Sequence, residues 1–289
     1  MRIDLQSHSL HSDGELTPTD VVARAGQAGV ELLALTDHDT VDGVDEALAA
    51  ASEQHLTLIS ATEISAVDAG YEDLHVLGFA IDQHGEELLG RLADARADRE
   101  RRAERMAETL VELGYAVDDA PLAARRAAGK SIGRPHLARA VLTHPDNATR
   151  LRQEGHQDVT SLIRAYLIPG APAYAGRTRP TVTEAIGWIH DAGGLAVWAH
   201  PFWDIPEDAA VLDAIDRYRE AGLDGVECFY VTHDERQTRL LADRCAALGL
   251  LTTASSDFHG PDHRLFSRFL AYGLHDREPQ LGALLARAA

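Results

Sequence analysis

Short apolar runs alternate with helix-length patterns along most of this chain, and nearly every run ends on a histidine or a carboxylate. That rhythm constrains the fold more than any other feature, because repeated βα units build a parallel sheet flanked by helices. We place strands near 2–8, 31–36, 56–62, 74–80, 194–199, 224–229 and 250–255. The first alternates strictly, with Ile3 and Leu5 on one side and Asp4, Gln6 and His8 on the other. Thr17-Pro18 sets a cap before a proline at the first helical position. Thr181 and Glu184 form a capping box, and "DAGG" at 191–194 closes that helix on glycine.

The rhythm fails between about 85 and 166, where "RLADARADRERRAERMAETLVELG" reads as a long, charged, alanine-rich helix followed by further helices. The expected organisation is therefore a barrel-like α/β domain from 1–85 plus 167–289, with a helical insert at 86–166. A solvated helix face accounts for most of the insert's arginines, and a substrate cap is the functional reading.

The polar residues collect at the strand ends. Strand one ends at His8 with Asp13 just beyond, strand two at "TDHD" (37–39 with Thr36), strand three at Glu63. Strand four carries His75, strand five runs into His200, and strand seven into "SSDFHG" with Asp257 and His259. In a closed parallel barrel those ends open on one face, where such folds build their sites. Taken singly, each cluster has a structural explanation: a hydrogen-bonded strand histidine, or a turn with an Asx cap. Their joint placement does not. Imidazoles and carboxylates without thiolates suit Zn, Mn, Fe or Ni, and are too histidine-rich for Mg or Ca alone. Two or three such ions, roughly 3.5–4 Å apart, polarise a phosphoryl group and turn a bridging water into hydroxide. Hydrolysis of a phosphate ester follows as the expected chemistry.

Composition narrows the partners. A net charge of −19, from 46 acidic against 27 basic residues, disfavours coating of long nucleic acids but not capture of one small anion. Cys228 and Cys245 stand 17 positions apart with no CxxC, which argues against a disulfide scaffold or thiolate zinc site. The chain opens directly on a strand pattern without a signal-peptide head, and no apolar run approaches a bilayer span. A cytoplasmic enzyme with no membrane partner is expected. "GKS" at 129–131 lacks the glycines of a phosphate loop. His55, His84, His144, His156, His190, His263 and His275 read as surface or core histidines.

The segments "IDLQSHSLHSDG", "LALTDHDT", "TEIS", "LHVLGF", "AHPF" and "SSDFHG", in that order over nearly the whole chain, resemble the PHP (polymerase and histidinol phosphatase) family of metal-dependent phosphoesterases. The resemblance implies a distorted seven-stranded (β/α) TIM-like barrel with a trinuclear metal centre. Carried over by motif position, it implies that His8, Glu63 and Asp257 hold one ion. Glu63 then bridges to a second ion held with His75 and His200, and Asp13, His38 and His259 hold a third. Glu63, Asp13 and His200 are the expected catalytic residues, and the cofactors two or three Mn, Fe or Zn ions. The first motif departs from the family's His-x-His, having Gln6 before His8, which weakens the first site. His11 falls off the strand's facing pattern and is not expected to replace it.

"GRPHLARA" at 133–140 and the insert resemble the branch acting on nucleotides. That implies removal of phosphate from nucleoside 3′,5′-bisphosphates and monophosphates by a metal-bridging hydroxide. Arg134, His136 and Arg177 are the expected phosphate-binding residues, because a guanidinium grips phosphate through two N–H groups. The alternatives are a phosphodiesterase, either a 5′→3′ exoribonuclease on short RNA ends or a cyclic-phosphate hydrolase, and a non-catalytic metal-binding module.

Overall fold

The apolar run around 56–62, expected as one strand, is two. In the computed structural model β3 (Thr57–Ile59) stops at Ser60, and β4 (Ala61–Asp68) begins a new direction. β4 folds back on β5 (Tyr71–Phe79) as an antiparallel hairpin, with Gly70 at φ 90°. The structure describes every residue except His55, Ala69, Gly129, Ser131, Thr178, Ala288 and Ala289. The expectations for His55, Gly129 and Ser131 lie outside the described residues.

The remaining strands are β1 (Ile3–Asp4), β2 (Leu32–Ala34), β6 (Leu195–Trp198), β7 (Gly225–Tyr230) and β8 (Leu251–Ser255). They form two sheets, ordered β1-β2-β3 and β4-β5-β6-β7-β8. The first sheet is parallel, and so are the β6–β7 and β7–β8 pairs. The β5–β6 pair is antiparallel, like β4–β5. The all-parallel expectation is thus corrected to a mixed sheet. A direct hairpin connects β4 to β5, leaving no helical crossover to make them parallel. Both sheets are small and not closed.

Backbone contacts nonetheless link the sheets. Leu5 N–H donates to Ala254 O (3.0 Å), while isolated bridges join Ser7 to Phe258 and His38 to Glu63. Helix starts follow the local chemistry. Thr17 accepts the Asp20 N–H before helix Pro18–Ala28, and Thr181 accepts the Glu184 N–H before helix Val182–Asp191.

The chain divides into two compact units, Met1–Ala93 with Arg179–Ala289, and Asp94–Thr178. The first holds all eight strands among the described residues and a core including Ile64, Leu74, Val76, Val197, Trp198 and Phe229. Burying such side chains contributes about 1.5–3 kcal/mol each and fixes the strand registers. The second is helical, around Leu110, Tyr115, Leu137, Val141 and Leu162. Among the described residues no helix is long and apolar enough to cross a membrane.

Candidate metal centre

Register brings the first pair together. Ser65 on β4 stands opposite His75 on β5, so Glu63, two residues earlier on the same face, is His75's diagonal neighbour. Glu63 Oε1 lies 2.8 Å from His75 Nδ1. β6 continues the array, since Ala199 N–H donates to His75 O and the next residue, His200, turns inward. His200 Nε2 lies 3.2 Å from the same Oε1 and 3.3 Å from His75 Nδ1. His200 is left-handed (φ 31°), which ends the strand and starts the turn Pro201–Asp204.

The other oxygen faces the opposite way. Glu63 Oε2 is 3.1 Å from His8 Nε2 and 3.5 Å from His38 Nδ1. His8 is aligned by His8 N–H to Phe258 O (2.8 Å), which puts its ring 3.0 Å from Asp257 Oδ1. Asp257 is in turn held by Tyr230, whose hydroxyl donates to Oδ2 at 2.8 Å.

Asp13 reaches the cluster because the loop after His8 doubles back. Asp37 accepts from Ser9 N–H, Ser9 Oγ and Ser12 Oγ at 2.6–2.7 Å, pinning the loop's inner side. Gly14 closes it where any Cβ would come within 2.3 Å of His8 O. Asp13 then lies 3.6 Å from His38 Nε2 and 3.5 Å from His259 Nε2.

The eight expected ligands therefore meet in one unit, and they sort into three groups able to hold a cation: His8–Glu63–Asp257, His38–Glu63–His75, and His8–Asp13–His38–His259. His200 joins through its contacts to Glu63 and His75. Two placements differ from expectation. Glu63 sits near the start of β4 and not at a strand end, because it lies on the unforeseen hairpin, while His75 lies within its strand as expected. Arg134, His136 and Arg177 lie in the second unit. Arg134 opens helix Arg134–Leu142, His136 accepts the Gly133 N–H through Nδ1, and Arg177 is buried.

The electrostatics identify what is missing from a purely hydrogen-bonded account. Burial opposes the imidazolium of His8, yet Asp257 and Glu63 hold its pKa well above the ordinary value. Burial likewise opposes charge on His200, but Glu63 raises it to about 9. Burial dominates at His38, depressed to about 3. Asp257 falls to about 2, since His259 and His8 outweigh its desolvation. Against the same desolvation, His38 and His259 hold Asp13, and His38 and His75 hold Glu63, well below the usual carboxylate range.

Despite these close approaches, His8 Nε2, His38 Nδ1, Glu63 Oε2 and Asp257 Oδ1 are buried without a hydrogen-bond partner among the described residues. Buried donors and acceptors without partners are costly. Imidazole nitrogens and carboxylate oxygens converging without hydrogen bonds fit divalent cations.

Sequence reading missed the supporting groups. Glu227 on β7 is fully buried, accepts His200 N–H at 2.9 Å, and is pushed up to about 8 by burial. A carboxylate inside the apolar run "GVECFY" was its available signal. Asp39 and Asp4 are also buried, and hold Ser65 and Ser256 respectively. His263, expected as a surface or core residue, packs its ring 5.2 Å from that of His259.

Fold and site together define an α/β protein with a buried imidazole–carboxylate cluster suited to divalent metal binding. The PHP domain matches residues 4–166, and the chain belongs to the PHP domain family. A 3′,5′-nucleoside bisphosphate phosphatase of Chromobacterium violaceum is 35% identical over 265 residues, covering 90% of this chain and 87% of that protein. A 5′-3′ exoribonuclease of Haemophilus influenzae is 32% identical, covering 90% of each. A solved structure of a putative metal-dependent phosphoesterase from Bifidobacterium adolescentis has a TM-score of 0.80 at 28% identity, covering 100% of this chain and 97% of its own.

Proposed function

We propose that this protein is a metal-dependent phosphoesterase that hydrolyses phosphate monoesters of small nucleotides, nucleoside 3′,5′-bisphosphates and monophosphates among them. One observation carries the reading: Glu63 divides its oxygens, Oε1 facing His75 and His200, Oε2 facing His8 and His38. A carboxylate so placed spans two cation positions. In this assignment His8, Glu63 and Asp257 serve one ion, Glu63, His75 and His200 a second, and Asp13, His38 and His259 a third. The ions are two or three of Mn, Fe or Zn. Bound there, such ions supply Lewis acidity toward a phosphoryl group and acidify water near neutral pH.

Within the chain, Glu63, Asp13 and His200 carry the catalytic roles. Glu63 fixes the spacing of the two halves of the cluster. His200 is locked by Glu227 on its backbone. Asp13, with 19% of its side chain accessible against 0% for Glu63, is placed to orient a water or phosphate oxygen entering from solvent. Arg134, His136 and Arg177 are assigned to binding substrate phosphate, because a guanidinium grips phosphate through two N–H groups. The two sheets read as sectors of one distorted barrel, with eight strands among the described residues where seven were expected, a view supported by the backbone links between β1 and β8 and between His38 and Glu63. A reducing cytoplasmic setting agrees with Cys228 and Cys245, buried free thiols with their sulfurs 3.8 Å apart.

The test is release of inorganic phosphate from adenosine 3′,5′-bisphosphate by the Mn-loaded protein. No turnover of that compound or of any nucleoside monophosphate defeats the proposal. The exoribonuclease relative supports a second reading, hydrolysis of short RNA from its 5′ end. A ladder of shortened RNA products without monoesterase activity selects it.

A further inference from the structure

An ordered series of aromatic rings leads outward from the metal centre. His259 stands 5.4 Å from Phe266, centroid to centroid, and Phe266 stands 5.7 Å from Trp203. His263 stacks on Phe266 at 4.9 Å with planes 16° apart. Tyr230, which holds Asp257, lies 6.1 Å from Phe266. Phe266 is therefore buried, but the series ends in the open, with Trp203 50% exposed and Leu265 beside Phe266 in sequence 49% exposed.

Both ends of this rim are fixed to the site's own backbone. Trp203 N–H donates to His200 O at 2.8 Å, so the indole rides on the left-handed turn that aims His200. His259 N–H donates to Phe266 O at 2.9 Å, and His263 Nδ1 accepts the Phe266 N–H at 3.1 Å. The platform is held before any ligand arrives, so little ordering opposes binding there.

We infer that Trp203, backed by Phe266 and His263, is the subsite that stacks the base of a nucleotide whose phosphate sits at the metal centre. The inference rests on the phosphoesterase reading above and adds to it a specificity-determining residue. A half-exposed indole offers a flat apolar face within two ring contacts of His259, a proposed metal ligand. A nucleobase is the flat group that a phosphate ester carries at comparable reach. Base–aromatic stacking is worth about 1–3 kcal/mol, equivalent to roughly a 5- to 150-fold effect on binding, and tolerates any base because every base has a π-face.

The experiment compares AMP with ribose 5-phosphate on Mn-loaded protein. Wild type is expected to prefer AMP in kcat/KM. In Trp203→Ala that preference falls roughly 5- to 150-fold, through KM rather than kcat, and Trp203→Phe restores most of it. Adenosine, which carries no phosphate, is expected to quench the indole fluorescence of wild type and not that of Trp203→Phe. An unchanged AMP preference in Trp203→Ala, with turnover intact, overturns the inference. If wild type hydrolyses neither ester, the phosphoesterase reading fails, while adenosine quenching still decides whether Trp203 stacks a base. A 5′-phosphorylated dinucleotide in place of AMP separates a mononucleotide from an RNA end as the source of that base.

Discussion

Glu63→Gln removes one negative charge from the point where four imidazoles meet, at 2.8–3.5 Å from its oxygens. Two of the three cation groups contain Glu63, and the third, His8–Asp13–His38–His259, does not. The variant is therefore expected to lose up to two equivalents of retained metal, whereas Asp13→Asn loses one. Ligand linkage gives the accompanying stability change. A metal at about 100 times its Kd stabilises by about 2.7 kcal/mol, and at its Kd by only about 0.4 kcal/mol. At about 2–4 °C per kcal/mol, a 100-fold weakening shrinks the metal-dependent rise in Tm from about 5–10 °C to about 1 °C. Elemental analysis after Mn loading and desalting, with calorimetry at fixed free Mn, measures both quantities. Glu63→Gln retaining wild-type metal content and the full Tm increment refutes the bridging role.

The other expectations concern the same cluster. Gln6 is fully buried two residues before His8, and Gln6→His offers a stronger ligand. It is expected to raise metal retained after desalting, and unchanged content dismisses Gln6 as the weak point. Metal affinity should also rise with pH. His8, held well above its ordinary pKa, and His200, at about 9, must give up protons to bind a cation. Each displaced proton contributes about a tenfold loss of affinity per unit of acidification below those values. Mn titrations at pH 6, 7 and 8 check this, and a flat affinity over that range contradicts the protonated state of the cation-free cluster.

The ligands were legible in the sequence because each is an incongruous polar residue at the end of, or within, an apolar run. Their convergence was expected from strand ends opening on one face, but the route to it was not, because it runs through the β4–β5 hairpin. "TEISAVDAGYEDLHVLGF" alternates through both strands, and nothing local shows that the chain reverses instead of crossing over. The consequence reaches the site directly, since Glu63 and His75 meet through antiparallel register. The supporting residues were harder still. Glu227 resembles any strand carboxylate until His200 N–H is seen against it, and Trp203 is one aromatic among many until Phe266 connects it to His259. Such roles arise from partners more than 25 positions away, which local pattern cannot register.

Left-handed backbone is a further illegible feature, and it marks the site. Asp39 (φ 54°), His200 (φ 31°) and Asp257 (φ 52°) all adopt it, at about 1–2 kcal/mol for a residue with a Cβ. At Asp39 the conformation serves a clamp. Its N–H donates to Glu63 O at 2.8 Å, and its Oδ1 accepts the Ser65 N–H at 2.9 Å. Asp39 thus fixes both neighbours of Ile64 and, with them, the direction of the Glu63 side chain. Asparagine tolerates the left-handed region and keeps an acceptor oxygen, so Asp39→Asn should hold Mn nearly as wild type does. Asp39→Ala keeps the left-handed strain the aspartate already carries and leaves the Ser65 N–H without that acceptor, a loss of about 1–3 kcal/mol. Urea unfolding of the metal-free proteins should place Asp39→Ala well below Asp39→Asn, with Mn retention in the same order. Equal losses from both variants would mean that the charge of Asp39, and not its geometry, supports the cluster.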